Sequence, residues 1–213
     1  RDGDRERFLS DYEVSWREVQ TKPVPSATVS FKVTPLAEVW ECLEDLPTIS
    51  DIAIVHRGVE WQSPFDENKY ISKSPKRGFH KGYYKVDDLL MSFHPPAKKY
   101  LSFRESDRRR NAFDLPWDSE KVFANAARIS RGPWRLAAFA DNEQLCSSRR
   151  FYGLWPRHGV STTLIAAVLN GPVANAFVTC REHNRDNRRK TLKEIPVPNL
   201  THSQLQSISR AVE

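Results

Sequence analysis

Ser161-Thr-Thr-Leu164-Ile165-Ala-Ala-Val168-Leu169-Asn170-Gly171-Pro172-Val173-Ala174-Asn175-Ala-Phe177-Val178 is the stretch on which the fold reading turns. Ser161 suits a helix N-cap, because its hydroxyl can accept from an amide that the first turn leaves unpaired. Leu164, Ile165, Val168 and Leu169 then recur at helical spacing and make one apolar face. Gly171-Pro172 breaks that helix, and the fixed φ of proline suits the first turn of a second one carrying Val173, Ala174, Phe177 and Val178. The spacing therefore predicts a broken helical pair near 161–183.

The residues before it read differently. Between 51 and 160, short apolar or β-branched stretches alternate with Gly, Pro, Asp and Asn. They are Ile52–Val55, Tyr70–Ser72, Gly82–Val86, Tyr100–Phe103, Lys121–Phe123, Arg135–Phe139 and Phe151–Trp155. This predicts a strand-rich body with many loops. Upstream, a charged arm over 1–22 precedes an alternating strand at Ala27–Val33. Thr34-Pro35 then opens a helix near 35–46 with Leu36, Val39, Trp40 and Leu43 along one side. Downstream, the polar run Arg181–Lys190 leads to a short strand at Thr191–Pro198, and Thr201-His-Ser-Gln204 reads as a capping box before Leu205, Ile208 and Val212. The expected fold class is α+β: a curled mixed β-sheet body with loop-rich insertions, packed with a few helices, one of them at the C-terminus. The expected organisation is an arm, strand and helix over 1–45, a main domain over 46–200, and the start of a helix over 201–213. The chain begins at Arg1 and its only methionine is Met91, which fits a piece of a longer protein.

Composition bounds the function. With 39% hydrophobic and 11% aromatic residues, 213 residues can bury a core. No apolar run approaches the roughly 20 residues of a membrane span, so no membrane partner is expected. Cys42, Cys146 and Cys180 are far apart and form no CxxC pair, which argues against a zinc site or a disulfide framework and fits a reduced, cytoplasmic setting. Cys42 and Cys180 read as small core residues. Charge is uneven: residues 1–60 hold 7 Lys+Arg against 12 Asp+Glu, and residues 61–213 hold 26 against 15. The later part thus carries a net charge of +11, the footprint of a polyanion-binding surface.

Catalytic patterns are sparse. An amino-methylating loop has the form (N/D/S)-P-P-(Y/F), and His94-Pro95-Pro96-Ala97 lacks both the amide or acid and the aromatic. No Gly-rich strand–helix turn offers a cofactor pocket. Glu67-Asn68-Lys69 with Asp51 upstream has the letters of a metal-dependent nuclease, D…E-x-K, but Pro64, Asp66 and Asn68 mark a turn. A small Mg-dependent nuclease stays open as an alternative, as does an RNA-binding or assembly module. No catalytic residue and no metal ligand is assigned. Binding equipment is plentiful: Lys73, Lys76, Arg77, Lys81, Arg108, Arg109, Arg110, Arg128, Arg131, Arg149 and Arg150 lie on turn-rich stretches among amides, hydroxyls and aromatics. Arg forks grip phosphates and read guanine edges, and aromatics stack on bases. Arg57, Gly58 and Trp61 join these as candidate DNA contacts. Trp40, Trp134 and Trp155 read as core, while Trp61, Phe79 and Trp117 are aromatics beside the cations.

Four segments in order resemble the C-terminal target-recognition region of N6-adenine DNA methyltransferases, of the TaqI-like and Type I specificity-subunit kind. They are Leu46-Pro-Thr-Ile-Ser-Asp-Ile-Ala-Ile-Val-His-Arg-Gly58-Val, Pro116-Trp-Asp-Ser-Glu-Lys-Val122, Leu164-Ile-Ala-Ala-Val-Leu-Asn170-Gly-Pro-Val-Ala-Asn175-Ala-Phe and Thr191-Leu-Lys-Glu-Ile-Pro-Val-Pro198. Gly171 replaces the commoner serine of the third motif. The resemblance implies a domain that reads double-stranded DNA while a separate N-terminal catalytic methyltransferase domain of the same parent chain binds S-adenosylmethionine and methylates a flipped adenine. On this reading the fragment holds no cofactor, Leu-Asn-Gly-Pro and Ile-Pro-Val-Pro are scaffold, and Gly58 serves a backbone position near DNA or a tight turn.

Overall fold

The computed structural model describes residues 37–85, 95–129, 134–157, 159–182 and 184–199, with Ser203, Gln204 and Ser207 of the closing segment. The chain divides at Ala37, and everything below concerns the unit Glu38–Glu213. The arm over 1–22, the strand at Ala27–Val33, the Thr34-Pro35 cap and His94 lie outside the described residues.

Two four-stranded sheets and a set of helices make three layers. Strands β1 (Ala53–Arg57), β5 (Lys121–Asn125), β6 (Ala138–Asp141) and β8 (Phe151–Pro156) form the first sheet, in the antiparallel order β1-β8-β5-β6. Strands β2 (Ile71–Ser72), β3 (Phe79–Tyr83), β4 (Lys98–Ser102) and β7 (Cys146–Ser147) form the second, in the order β2-β4-β3-β7. Among the described strands β3 and β7 pair in parallel and the other pairs are antiparallel, so the body is mixed.

Alternation on β5 and β8 explains the layering, because successive side chains of a strand point to opposite faces. Val122, Ala124, Tyr152 and Leu154 face a core shared with Ile165, Leu169, Val178 and Leu192. Phe123, Phe151 and Trp155 face a second, aromatic core with Tyr83, Leu101, Trp61 and Trp117. With both faces covered, all five residues of β5 are buried. Its Lys121 is among them: the ammonium meets Asp141 at 2.7 Å and donates to the carbonyls of Trp117 (2.7 Å) and Ser119 (3.0 Å).

Helices α1 (Ala37–Cys42), α2 (Ile49–Ile52), α3 (Glu67–Tyr70), α4 (Thr162–Asn170), α5 (Pro172–Arg181) and α6 (Arg189–Lys193), with two short 3-10 helices at Glu105–Asp107 and Asn111–Asp114, complete the described elements, and the backbone is helical again at Ser203, Gln204 and Ser207. The Ser161 hydroxyl accepts from Leu164 N–H at 3.1 Å, and Gly171-Pro172 ends α4 and starts α5 as the spacing predicts. Asn170 and Asn175 are buried at that break. Asn175 Oδ1 accepts from the N–H groups of Arg135 and Leu136, both at 2.8 Å, and Asn170 exchanges two bonds with Ala138. These amides satisfy backbone that would otherwise be orphaned, so β6 starts at Ala138 and not at Arg135.

Other expectations need correction. Thr191–Pro198 is not a strand: Thr191–Lys193 close α6, where buried Leu192 faces the core and the Thr191 hydroxyl donates to the Glu182 carboxylate. Only Pro196 pairs, in a single bridge to Thr48, since prolines cannot donate to a ladder. Glu67–Tyr70 is a helical turn capped by Asp66, whose carboxylate accepts from Asn68 and Lys69 N–H. Trp134 is 43% exposed and Cys42 is exposed, so neither is a core residue. The helix near 35–46 is described only as Ala37–Cys42, followed by turns.

Candidate nucleic-acid interface

One end of the first sheet gathers cations. Register places Arg57 opposite Tyr152, and Asn125 opposite Phe151, so the C-terminal ends of β1 and β5 meet the N-terminal end of β8. Arg149 and Arg150 immediately precede β8, and Ala126–Arg128 immediately follow β5. Arg57 Nε donates to the Arg149 carbonyl at 2.8 Å, its guanidinium meets Asp186 at 3.6 Å, and it lies 5.7 Å from the Tyr152 ring centre.

The chain then crosses from one sheet to the other. Gly58 N–H donates to Phe151 O, Val59 N–H to Ser147 O, and Arg149 N–H to Val59 O, all within 2.9 Å. A Cβ on Gly58 would stand 2.2 Å from Ser148 O and 2.5 Å from Ser147 O. Glycine at 58 is therefore required by this close backbone approach. Past it, Arg109 N–H donates to Glu60 O at 3.0 Å, which brings Arg109 and Arg110 beside the seam.

Glu60 is the hub. Its side chain is only 11% exposed and takes ion pairs from Arg109 (2.9 Å), Arg110 (3.1 Å) and Arg149 (2.5 Å), which are 48%, 68% and 52% exposed. One carboxylate thus fixes three guanidiniums from two distant segments and leaves the group with a surplus of positive charge. Each guanidinium keeps donors free for a second acceptor, because the fork carries five N–H groups.

A buried polar network holds the neighbouring loop. The Arg135 guanidinium is buried and donates to Glu182 O (2.5 Å), Asn184 O (2.7 Å) and Asn187 Oδ1 (3.3 Å). Asn125 Nδ2 donates to Ala127 O and Arg135 O, and the Tyr152 hydroxyl donates to Asn187 O at 3.0 Å. Asn187 N–H to Ala126 O and Arg128 N–H to Arg185 O, both 2.9 Å, then dock the 184–188 loop beside Arg128. Burial pushes the Arg135 guanidinium below the usual arginine value; Glu182 opposes that fall and the nearby Arg128 adds to it.

The structure does not bring every candidate here. Lys73, Lys76 and Arg77 lie on an exposed turn at the other end of β3, roughly 13 Å along the strand at about 3.3 Å per residue. Arg104 joins that turn, with Lys76 and Arg104 over the Phe79 ring at 5.8 and 5.1 Å. Lys81 shares Glu143 with Lys98, and the ammonium of Lys98 holds the Glu143 carboxyl below its ordinary range. Arg108 turns to Asp114 (2.9 Å) and the face of Phe113, away from Glu60. Trp61 is buried, stacked at 5.8 Å on Tyr70 and donating to Ser102 O at 2.8 Å; Trp117 is buried too and donates to Ala112 O. Both rings are spent on the core. Arg131 lies outside the described residues.

Sequence reasoning missed Glu60, Arg104 and Arg185. Arg185 had a signal in the dense run Arg181–Lys190, which reads equally well as a polar linker. Nothing in spacing links position 60 to 109, 110 and 149.

Chemistry of other kinds finds little support. Asp51 is tied to Thr48, Glu67 to Lys85 (3.0 Å) and Tyr84 (3.2 Å), and Lys69 to Asp107 (3.4 Å), so the nuclease-like letters do not converge. Among the described residues no three His, Cys, Asp or Glu side chains group as metal ligands. No single described helix is long and apolar enough to cross a membrane; α4 and α5 reach that length only as a pair bent by 58°. A separate groove of about 270 Å³, lined by Leu43, Leu46, Val168, Val173, Pro196 and Pro198 among others, is apolar and stands apart from the cations.

No protein-family model matches the chain, and no curated protein does. Among solved structures, it is similar to the HsdS subunit from Thermoanaerobacter tengcongensis, at 15% sequence identity and a TM-score of 0.39. That alignment covers 78% of this chain and 34% of the other, so the chain spans about a third of that protein's length. A likeness of this size fixes neither fold nor function.

Proposed function

We propose that this chain is a duplex-DNA recognition domain that carries no chemistry of its own and serves an N6-adenine methyltransferase or a fused restriction–modification enzyme. The observation that carries the DNA-binding part is the arginine seam at one sheet end: Arg109, Arg110 and Arg149 ordered by the hub Glu60, with Arg57 held by Arg149 O and Asp186, and Arg150 next in the chain. Fixed guanidinium forks on a rigid β platform match phosphate oxygens and guanine edges without losing much side-chain freedom on binding. The 184–188 loop, pinned by Arg135, reaches the seam through Asp186, which pairs with Arg57, and through Arg185 O, which accepts from Arg128 N–H. The methyltransferase part rests on the four ordered motifs. Of these, Leu169-Asn-Gly-Pro-Val-Ala-Asn175 serves here as scaffold, its two asparagines pairing the backbone of Arg135, Leu136 and Ala138 at the start of β6. In this reading S-adenosylmethionine and the reacting adenine belong to the catalytic domain of the parent, and 46–200 is the recognition unit.

The test is fluorescence anisotropy of a labelled duplex against salt. Contact with about five phosphates gives a slope of log affinity on log salt near −4.5, at about −0.9 per phosphate. Arg149→Ala and Arg109→Ala are expected to weaken binding and flatten that slope by about one unit each. Binding that is insensitive to both, or that prefers single-stranded RNA to duplex DNA, overturns the proposal.

A further inference from the structure

The chain leaving the arginine seam runs directly from Glu60 through Trp61 and Gln62 to Phe65, whose side chain is 49% exposed. An exposed phenylalanine is common on protein surfaces and by itself means little. This one is held from behind by three rings: Trp61 at 5.9 Å, Tyr70 at 5.6 Å and Tyr84 at 6.1 Å, the last nearly parallel at 18°. Its support reaches the seam by a second route. Ser148, which precedes Arg149, donates to Tyr84 O. Lys85 covers the Tyr84 ring at 4.8 Å.

The acids beside it are already engaged. Asp66 caps the N–H groups of Asn68 and Lys69, and Glu67 is taken by Lys85 and Tyr84. A firmly backed aromatic face, open on its outer side and a short step along the chain from the arginine seam, suits a nucleobase attached to a phosphate chain better than a hydrocarbon partner. Resting on the DNA-recognition reading above, we infer that Phe65 is a stacking ledge for one nucleobase, at a step of the bound duplex that is kinked or unstacked beside the arginine seam.

The experiment places 2-aminopurine at successive positions of a duplex bound by the chain and reads fluorescence with the original protein, Phe65→Ala and Phe65→Leu. Phe65→Leu keeps apolar bulk without a π face, and circular dichroism checks that both variants fold. The proposal expects a fluorescence change at one position that both substitutions abolish. It also expects Phe65→Ala to bind roughly 5- to 150-fold more weakly, the range for losing one base–aromatic stack. A salt-dependent duplex complex in which Phe65→Ala binds within twofold and no 2-aminopurine responds overturns the ledge while leaving the recognition reading intact. Absence of any duplex binding by the original protein overturns both.

Discussion

Replacing Arg135 by methionine tests whether the cationic face depends on a buried support. Methionine keeps most of the aliphatic stem and removes the guanidinium, which donates to Glu182 O, Asn184 O and Asn187 Oδ1. Asn184 is exposed, so water replaces the lost donor there. Glu182 and Asn187 are buried, and their acceptors lose a partner. At about 1–3 kcal/mol for each unsatisfied buried group, the two amount to about 2–6 kcal/mol. Against a total stability of about 5–15 kcal/mol, that is a large share. Urea unfolding followed by tryptophan fluorescence is the assay, with the midpoint expected to fall and the slope to stay constant. Hydrogen exchange at Asn187 and Arg128, whose amides dock the loop, is expected to accelerate further than exchange in β5. A midpoint shift equivalent to less than about 1 kcal/mol would refute the reasoning, because a neutral outcome means those acceptors were already hydrated.

Gly58→Ala is expected to destabilise by about 3 kcal/mol or more, since overpacking here meets backbone oxygens that cannot swing aside, and to weaken duplex binding by displacing Glu60; a stable, fully binding variant contradicts the close approach. Lys121→Met is expected to cost about 3–5 kcal/mol in urea unfolding, because Asp141 stays buried without its ion-pair partner. Adding Asp141→Leu restores little, as Asp141 also accepts from Leu145 N–H at 2.9 Å, and full recovery in the double variant would argue against that bond. Burial pushes the Cys146 thiol well above its ordinary range, so a thiol reagent near pH 8 is expected to label exposed Cys42 quickly and Cys146 only on unfolding. Early Cys146 labelling in peptide mapping would show that β7 opens locally. Ser161→Ala removes the cap of α4 and is expected to cost about 1 kcal/mol by the same unfolding assay.

The elements that local chemistry determines were legible in the sequence. Ser161 and Gly171-Pro172 bound α4 and α5 because capping and proline geometry act within a few residues. Strands β1, β5 and β8 fall on the apolar stretches because those strands are buried on one or both faces. Legibility ended where distant groups supply the partners. Asn175 takes the N–H groups of Arg135 and Leu136, Asn125 that of Ala137 and Asn170 that of Ala138, which shortens β6. Thr191 finds Glu182, which helps hold α6 where the sequence suggested a short strand. Trp61 and Trp117 look like free stacking residues beside cations until the aromatic core is assembled around them. The candidate site divides in the same way. Cations on turns are visible as composition, but sheet register takes Lys73–Arg77 to the far end of β3, and contacts between distant segments bring Arg149 and Arg109 to the Glu60 seam while Asp114 holds Arg108.

The most direct test of the central claim is selection from a random duplex pool by the 213-residue chain at several salt concentrations, with sequencing of what stays bound. The account predicts a steep salt slope together with an enriched motif of a few base pairs, and loss of both in an Arg109→Ala/Arg149→Ala variant. Binding without any enriched motif, or a variant that retains the motif and the slope unchanged, would contradict sequence reading through the arginine seam.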